Sequence, residues 1–395
     1  MDIVKLKDLT VDGKGTYGVA APAVEYQENL PTYLRITDIL DDGTLNLSEL
    51  KSVNVPDSER YMLRPNDIVF ARTGGSTGRN YFYDGTDGAF VYAGFLIKFS
   101  LDPKKVNPKF IKYFCQSKQY KQWVRSFNTG STRGNINAQT FGNMEIALPG
   151  RKQQDHLVSV LESIGKKIKL NKQINDNLEQ QVMTLFRKMF VDTNNDNRYE
   201  CRVDEYFDIS IGKTPPRKES QWFSMNPVDC VWVSISDMGS CGLYISDSSE
   251  YLTHESIERF NVKIVPDNTV ILSFKLTVGR VAITDGDMTT NEAIAHFKTD
   301  KTEINEYLYC YLKEFNYQTM GSTSSIATAV NSKIIKAMPF IVPADDELVE
   351  FHAFAAPMFA MIKANQKENV RLTELRDSLL PRLMSGEIDV SDIQL

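Results

Sequence analysis

"DNLEQQVMTLFRKMF" at residues 176–190 and "VRLTELRDSLLPRLMSGEI" at residues 370–388 each close a long helical pattern with the same spacing of apolar side chains. Traced back from the first, Leu157, Leu161, Ile164, Ile168, Asn171, Asn175, Leu178, Val182, Leu185 and Met189 alternate steps of four and three, the heptad signature of packed helices. Advancing every position by 194 gives Phe351, Ala355, Met358, Ile362, Asn365, Asn369, Leu372, Arg376, Leu379 and Leu383. Both seams hold asparagine at the same two places, and "IKLN" at 168–171 is answered by "IKAN" at 362–365. One apolar helix face is ordinarily a core face, but two ungapped helices that agree at polar seam positions point to helices packed on one another. Asparagine there costs stability and fixes register. The asparagines are centred in each seam, so an antiparallel pairing sets Asn171 level with Asn369 and Asn175 with Asn365; a parallel pairing matches them too. At 1.5 Å per residue such a seam is roughly 50 Å long and would separate whatever lies at its ends.

The segments before each helix also echo. "YLRITDILDDGTL" from Tyr33 is answered by "VWVSISDMGSCGL" from Val231, and "LRPNDIVFARTGGSTGRNYFY" from Leu63 by "IVPDNTVILSFKLTVGRVAIT" from Ile264, which aligns Gly78-Arg79 with Gly279-Arg280. "FNTGSTRGNINAQTFGNMEIALP" from Phe127 matches "YQTMGSTSSIATAVNSKIIKAMPFIVP" from Tyr317, and the starts "VKLKDLTVDGKG" and "CRVDEYFDISIGK" agree loosely. Four blocks in one order, each set followed by an aligned helix, indicate an internal duplication. Asp67 to Ala71 and Phe90 to Phe99 read as strands, and "NPKFIKYFCQSKQYKQWV" as an amphipathic helix whose counterpart is "EINEYLYCYLKEF" from Glu303. The fold class is α+β: two globular domains separated by two long helices forming a coiled coil, with pseudo-twofold duplication. The boundaries are 1–150 for the first domain, 151–192 for the first helix, 193–346 for the second domain and 347–395 for the second helix and tail.

The chain of 395 residues is 42% hydrophobic and 24% charged, as folded proteins are, and no stretch approaches the apolar length of a membrane span. A cytoplasmic location is expected. The five cysteines and four histidines form no metal-ligand cluster. The net charge of −6 is uneven: +2 over 1–150, +4 over 151–190, −10 over 191–347 and −2 beyond. A global negative charge leaves room for a local basic face.

"RPNDIVFARTGGSTGR", "GSTRGNINAQTFGNMEIALP" running into the first helix, and "LTELRDSLLPRLMSGEI" resemble the specificity (S) subunits of type I restriction-modification systems, over essentially the whole chain. That resemblance implies two target recognition domains that each read half of a bipartite, asymmetric site in double-stranded DNA. It also implies that the helices pair antiparallel as a ruler for the unspecified spacer. Two methyltransferase (M) subunits using S-adenosylmethionine would dock on the chain, and motor-nuclease (R) subunits using ATP and magnesium would join. The sequence departs from the family pattern in its acidic second domain, in "SFKLTVGR" where "ARTGGSTGR" is richer in glycine, and in "PGRKQQ" and "VPADDE" at the helix starts.

Chemistry in the chain itself is not expected. The clamp of an adenine methyltransferase needs Asp or Asn followed by two prolines and an aromatic; "NPKF" at Asn107 and "NPVD" at Asn226 lack the second proline. "GGSTG" at Gly74 has neither the spacing nor the Lys-Ser/Thr ending of a phosphate loop. Asp67 and Asp267 beside prolines read as turn residues. The candidates for DNA contact are loop cations and small polar groups. In the first domain they are Arg72, Thr73, Ser76, Thr77, Arg79, Arg125, Asn128, Arg133 and Asn135, with Asn137 nearby; in the second they are Lys213, Arg217, Lys218, Lys275 and Arg280. Arginine reads guanine bidentately and asparagine adenine, whereas lysine and hydroxyl groups mainly hold phosphate. Surface or capping roles are the ordinary alternative for each. Trp123, Trp222 and Trp232 read as packing groups before stacking platforms. Asn171, Asn175, Asn365 and Asn369 set the helix register. The competing reading is a two-domain protein-interaction scaffold without DNA sequence specificity, which the acidic second domain favours.

Overall fold

The computed structural model describes residues 2–127, 134–275, 277–320 and 331–385. The chain divides into two compact units, Met1–Lys167 with Leu372–Leu395, and Ile168–Arg371. Each unit is built from the same strand order.

In the first unit Asp2–Lys5 pairs antiparallel with Glu145–Leu148. A four-stranded sheet runs Thr16–Tyr17, Leu96–Ser100, Asp67–Ala71, Asn80–Tyr83, and a second runs Val24–Glu25, Lys51–Ser52, Thr32–Leu34, Phe90–Tyr92. The last pair of the second sheet is parallel. The central strand "DIVFA" is buried at every position, and strand alternation sorts its side chains. Ile68 and Phe70 join Phe99, Phe110, Phe114 and Phe141 in one core, whereas Val69 and Ala71 join Leu34, Phe90 and Tyr92 in another. Buried on both faces, the strand is apolar from Ile68 to Ala71, and the buried Asp67 at its start accepts from the Arg64 amide and the Ser100 hydroxyl.

The second unit repeats this pattern. Tyr199–Arg202 pairs antiparallel with Pro339–Val342. One sheet runs Asp208–Ile211, Ile294–Lys298, Val270–Ser273, Val281–Thr284, and the other Phe223–Ser224, Tyr251–Leu252, Cys230–Val233, Thr289–Thr290, again with a parallel last pair. One strand is added: Tyr244–Ile245 extends the first sheet, parallel to Val281–Thr284. Gly18 and Gly212 mark the same place in both units, because a Cβ would come within 2.2 Å of Tyr92 O in one and 2.1 Å of Asn291 O in the other.

Two readings of the sequence are corrected. Phe90 to Phe99 is not one strand but two, Phe90–Tyr92 and Leu96–Ser100, which turn at Gly94 into different sheets. The amphipathic helix after Asn107 is split into Pro108–Phe114 and Lys118–Arg125, because the Ser117 hydroxyl accepts the Tyr120 amide and starts a new helix.

The first long helix, Arg151–Phe186, continues as a π-helical turn, Arg187–Val191; the second is Asp345–Ser385. Pro357 interrupts its hydrogen bonding on the solvent side, where both Pro357 and Ala353 are exposed, so water reaches the carbonyl that proline leaves unsatisfied. In the first unit Leu157, Val158 and Leu161 share a core with Leu380. In the second, Val182, Met183 and Phe186 share one with Phe351, Ala355, Phe359 and Ile362. The strict heptad ends there: Phe186 and Phe190 are buried where Leu185 and Met189 are only partly so, and Phe359 replaces Met358. The helix face widens to meet the domain core as well as its partner helix.

Between these apolar stretches lie the amides. Asn171 is fully buried and donates to Glu368 Oε2 (2.7 Å) and Asn369 Oδ1 (3.0 Å), and Asn365 donates to Asn175 Oδ1 (2.8 Å). The helices therefore run antiparallel in this unit. Replacing Asn171 alone by leucine removes the donor that Glu368 and Asn369 accept from, and is expected to cost about 1–3 kcal/mol in urea unfolding. Adding Asn369→Leu should recover part of that loss, and strictly additive losses in this double-mutant cycle would show that the amides do not interact.

His296 supplies a pH signature. Fully buried, it lies 2.9 Å through Nδ1 from Ser210 Oγ and 2.7 Å through Nε2 from Thr290 Oγ1. Burial, helped by nearby Lys298, holds its pKa down at about 3. A base with a depressed folded pKa contributes stability that is complete above its unfolded value, near 6.5, and declines as pH falls from there towards 3. Stability should fall by about 2 kcal/mol between pH 6.5 and 5 on this account, and His296→Gln should flatten that slope in urea titrations.

Candidate nucleic-acid interface

In the first unit the loop that follows strand Asp67–Ala71 is closed at its base by Gly78 N–H donating to Ala71 O (2.9 Å) and Ala71 N–H to Arg79 O (2.8 Å). Gly78 has a φ of +87°, and a Cβ there would sit 2.4 Å from Val124. Only glycine fits that corner. The loop is then tied to a second segment. Ile136 N–H donates to Arg72 O (2.9 Å), Thr73 bridges to Asn135, and the Thr77 hydroxyl donates to Gly74 O and Gly134 O. Two blocks of sequence some sixty residues apart thus form one surface. Gly74 and Gly75 face open space; Asn135 and Arg125 are exposed.

Arg72 lies on this surface with its guanidinium 5.2 Å from the ring centroid of Tyr17. Its Nε is buried and has no hydrogen-bond acceptor among the described residues. An unpaired buried donor on a cation is costly. Tyr17 was not among the sequence candidates; nothing in its local pattern distinguishes it from a strand residue.

Arg79, by contrast, is committed internally. It donates to both carboxylate oxygens of Asp41 and, through Nη1, to Ile39 O at 3.1 Å. In the second unit Arg280 does the same kind of work, donating to Ile235 O at 2.5 Å, with Gly279 again at positive φ, +94°. Each arginine holds the turn that opens its block: in one, Arg35 N–H donates to Asp38 Oδ2 (2.7 Å), and in the other, Ser234 N–H to Asp237 Oδ2 (2.8 Å). The duplicated glycine-arginine pair makes this clamp in both units, a role the sequence reading did not include.

The second unit's loop is one residue shorter. Gly279 N–H donates to Ser273 O and Ser273 N–H to Arg280 O, leaving residues 274–278 where the first loop has 72–77. Phe274 N–H donates to Ala293 O as Arg72 N–H does to Phe95 O, so an aromatic stands where the first unit has Arg72. Lys275 is exposed with no ion-pair partner among the described residues, as is Lys218. Lys213 Nζ donates to Phe260 O (2.5 Å), and Arg217 pairs with Glu250 while stacking 4.2 Å from Phe223 and 4.4 Å from Trp232. Glu292 accepts from the Thr214 hydroxyl; burial raises its pKa, but that bond together with Lys275 and Arg217 leaves it net below the usual range. Asn128, Arg133 and Leu276 lie outside the described residues. Trp222 and Trp232 are buried, and Trp123 packs on Phe127 and Phe141. No cluster suited to a metal occurs among the described residues, and no described helix is long and apolar enough to cross a membrane.

Arg79→Ala should therefore act on stability, lowering it by about 1–2 kcal/mol. Urea unfolding of that variant against Arg72→Ala checks the distinction, since Arg72 Nε has no acceptor among the described residues.

The type I restriction modification DNA specificity domain matches the chain twice, over residues 2–180 and 196–373. The HindI specificity subunit of Haemophilus influenzae is 21% identical, covering 90% of this chain and 94% of that protein. The MjaIX specificity subunit of Methanocaldococcus jannaschii is 24% identical over 72% of this chain and 70% of its own length. Among solved structures, the S subunit of a type I restriction-modification system from M. genitalium shares the fold, with a TM-score of 0.54 at 15% identity over 97% of this chain and 95% of that one.

Proposed function

The chain belongs to the type I restriction-modification DNA specificity family, and from that membership we propose that each of its two repeats reads one block of a bipartite, asymmetric site in double-stranded DNA. The observation that carries this is the repeated strand order with divergent loops: one scaffold, used twice, presents two chemically different surfaces. As a specificity subunit the chain recognises DNA and leaves catalysis to its partners. In this proposal two M subunits that bind S-adenosylmethionine dock on it, R subunits that use ATP and magnesium complete the cutting complex, and the assembly works in the cytoplasm. The long helices set the spacer between the blocks. Recognition of the first block runs through Arg72, with Thr73, Ser76, Arg125 and Asn135 around it, and of the second through Lys275 and Lys218. Asn128 and Arg133 belong to the first set by sequence. Arg79, Thr77, Lys213, Arg217 and Arg280 act mainly by holding the loops in shape.

The test is methylation of a randomised DNA library by the chain together with its M partner, with S-adenosylmethionine present. Two short blocks at a fixed spacing are expected; modification without sequence preference would return the protein-interaction scaffold as the better account. Arg72→Ala should relax one or two base pairs of one block and cost about 1–3 kcal/mol if it meets a guanine edge. A uniform loss over all sequences, with the salt slope reduced by about one, would make it a phosphate contact instead.

A further inference from the structure

The added strand Tyr244–Ile245 ends its sheet, and its free edge is occupied by a side chain. Gln366, on the second long helix and one residue past the seam amide Asn365, donates through Nε2 to Tyr244 O (2.9 Å) and accepts through Oε1 from Tyr244 N–H (3.0 Å). The inner edge of the strand faces its sheet: Ile283 N–H donates to Leu243 O and Asp285 N–H to Ile245 O. The amide of Gln366 thus completes the ladder as another strand would. Gly242 makes room for it, since a Cβ there would lie 2.7 Å from Gln366 Nε2. Two cations on the same helix support the joint. Lys363 and Lys367 reach Asp285 Oδ1 at 2.9 and 3.0 Å, and Lys363 lies 5.1 Å from the ring centroid of Tyr244.

The joint is polar and borders a cleft of 640 Å³ lined by Lys172, Asn175, Asp237, Tyr244, Asp285 and Gln366, among others. Water in such a cleft competes for these bonds, so each contributes only a modest net amount beside the direction it imposes. Gln366 has no counterpart amide in the first repeat, where the matching position is Lys172.

We propose that Gln366 is a positioning residue: its amide clamps the edge strand to the second long helix and fixes the orientation in which the second recognition region meets its DNA block. This rests on the specificity reading above. The clamp reads no base itself; it sets the angle at which the reading surface is presented, and so the spacing between blocks that the protein accepts.

The experiment is the same library methylation with full-length chain and M partner, comparing wild type, Gln366→Leu, Gly242→Ala and the double variant. Gly242→Ala breaks the clamp from the strand side, so the proposal does not hang on one substitution. Expected are unchanged bases in both blocks, roughly tenfold lower methylation at the wild-type spacing from the loss of two hydrogen bonds, and a larger share of sites one base pair longer or shorter. The double variant should be no worse than either single one. Gln366→Glu, which keeps an acceptor and loses the donor, should fall between. An unaltered spacing distribution, altered bases in the second block, or an equal loss at every spacing overturns the proposal. Should the wild type itself show no bipartite preference, the specificity reading fails first, and visibly so, before any variant is compared.

Discussion

A buried amide donor in an apolar helix seam finds its acceptors in few registers, and the second unit is organised around that constraint. Asn171 reaches Asn369 only when the two helices run antiparallel and are aligned to within one residue; the Asn365 to Asn175 bond repeats the condition one turn away. A purely apolar seam would tolerate sliding by a heptad, because leucine on leucine is nearly as favourable in the next register. Once the register is fixed, the far end is fixed too. Arg198 donates to Met189 O, Phe190 O and Thr193 O at the end of the first helix, and to both carboxylate oxygens of Glu347 in the first turn of the second. Its guanidinium holds the Glu347 carboxyl down at about 2, against the smaller opposing effect of burial. Charge-assisted bonds of this kind are short and directional, so one side chain joins the end of one helix to the start of the other.

The duplication shows which positions folding constrains and which it leaves to function. Gly18 and Gly212, Gly78 and Gly279, and the turns capped by Asp38 and Asp237 agree because backbone approaches backbone there, or because an amide needs an acceptor. The exposed loop tips need neither. They differ in length, in the exchange of Arg72 for Phe274, and in Glu292 standing beside the second unit's cations. A scaffold that keeps its core and varies its loops can present different chemistry to each half of a target at little cost in stability.

Periodicity carried much of this in the sequence alone. The helices, their asparagines and the order of blocks are visible because heptads and repeats are patterns over many residues, where single substitutions do not erase the signal. The break at Gly94 was hidden because Phe90 to Phe99 is apolar through the turn, and Ser117 because one capping hydroxyl is a weak mark inside an amphipathic run. The roles of the arginines were less legible still. Arg72 and Arg79 carry the same donors and flank the same loop; what separates them is Asp41 and Ile39 O, which lie about forty residues earlier in the chain and come near only on folding. Gln366 gave no signal for the same reason: its partner is backbone, which has no sequence identity.

The acidity of residues 191–347 looked like an argument against DNA until its partners were known. Some of that negative charge is engaged by the helices and by neighbouring cations. Glu314 pairs with Arg187, Glu347 with Arg198, Asp285 with Lys363 and Lys367, and Glu250 with Arg217, and Glu306 Oε2 lies 3.0 Å from His352 Nδ1. An acid engaged at 2.5 to 3 Å by a cation projects little field beyond a Debye length, about 8 Å at physiological salt. Burial raises the Glu306 carboxyl above its ordinary range, the His352 bond acting the other way. What an approaching phosphate meets is the local balance at the loop surface, and there Lys275 and Lys218 stand without ion-pair partners among the described residues, with Glu292 already engaged by Thr214. Net charge summed along a sequence counts all these groups equally; the fold engages Glu314, Asp267 and Asp285 with cations of the long helices and leaves Lys275 and Lys218 at the loop surface.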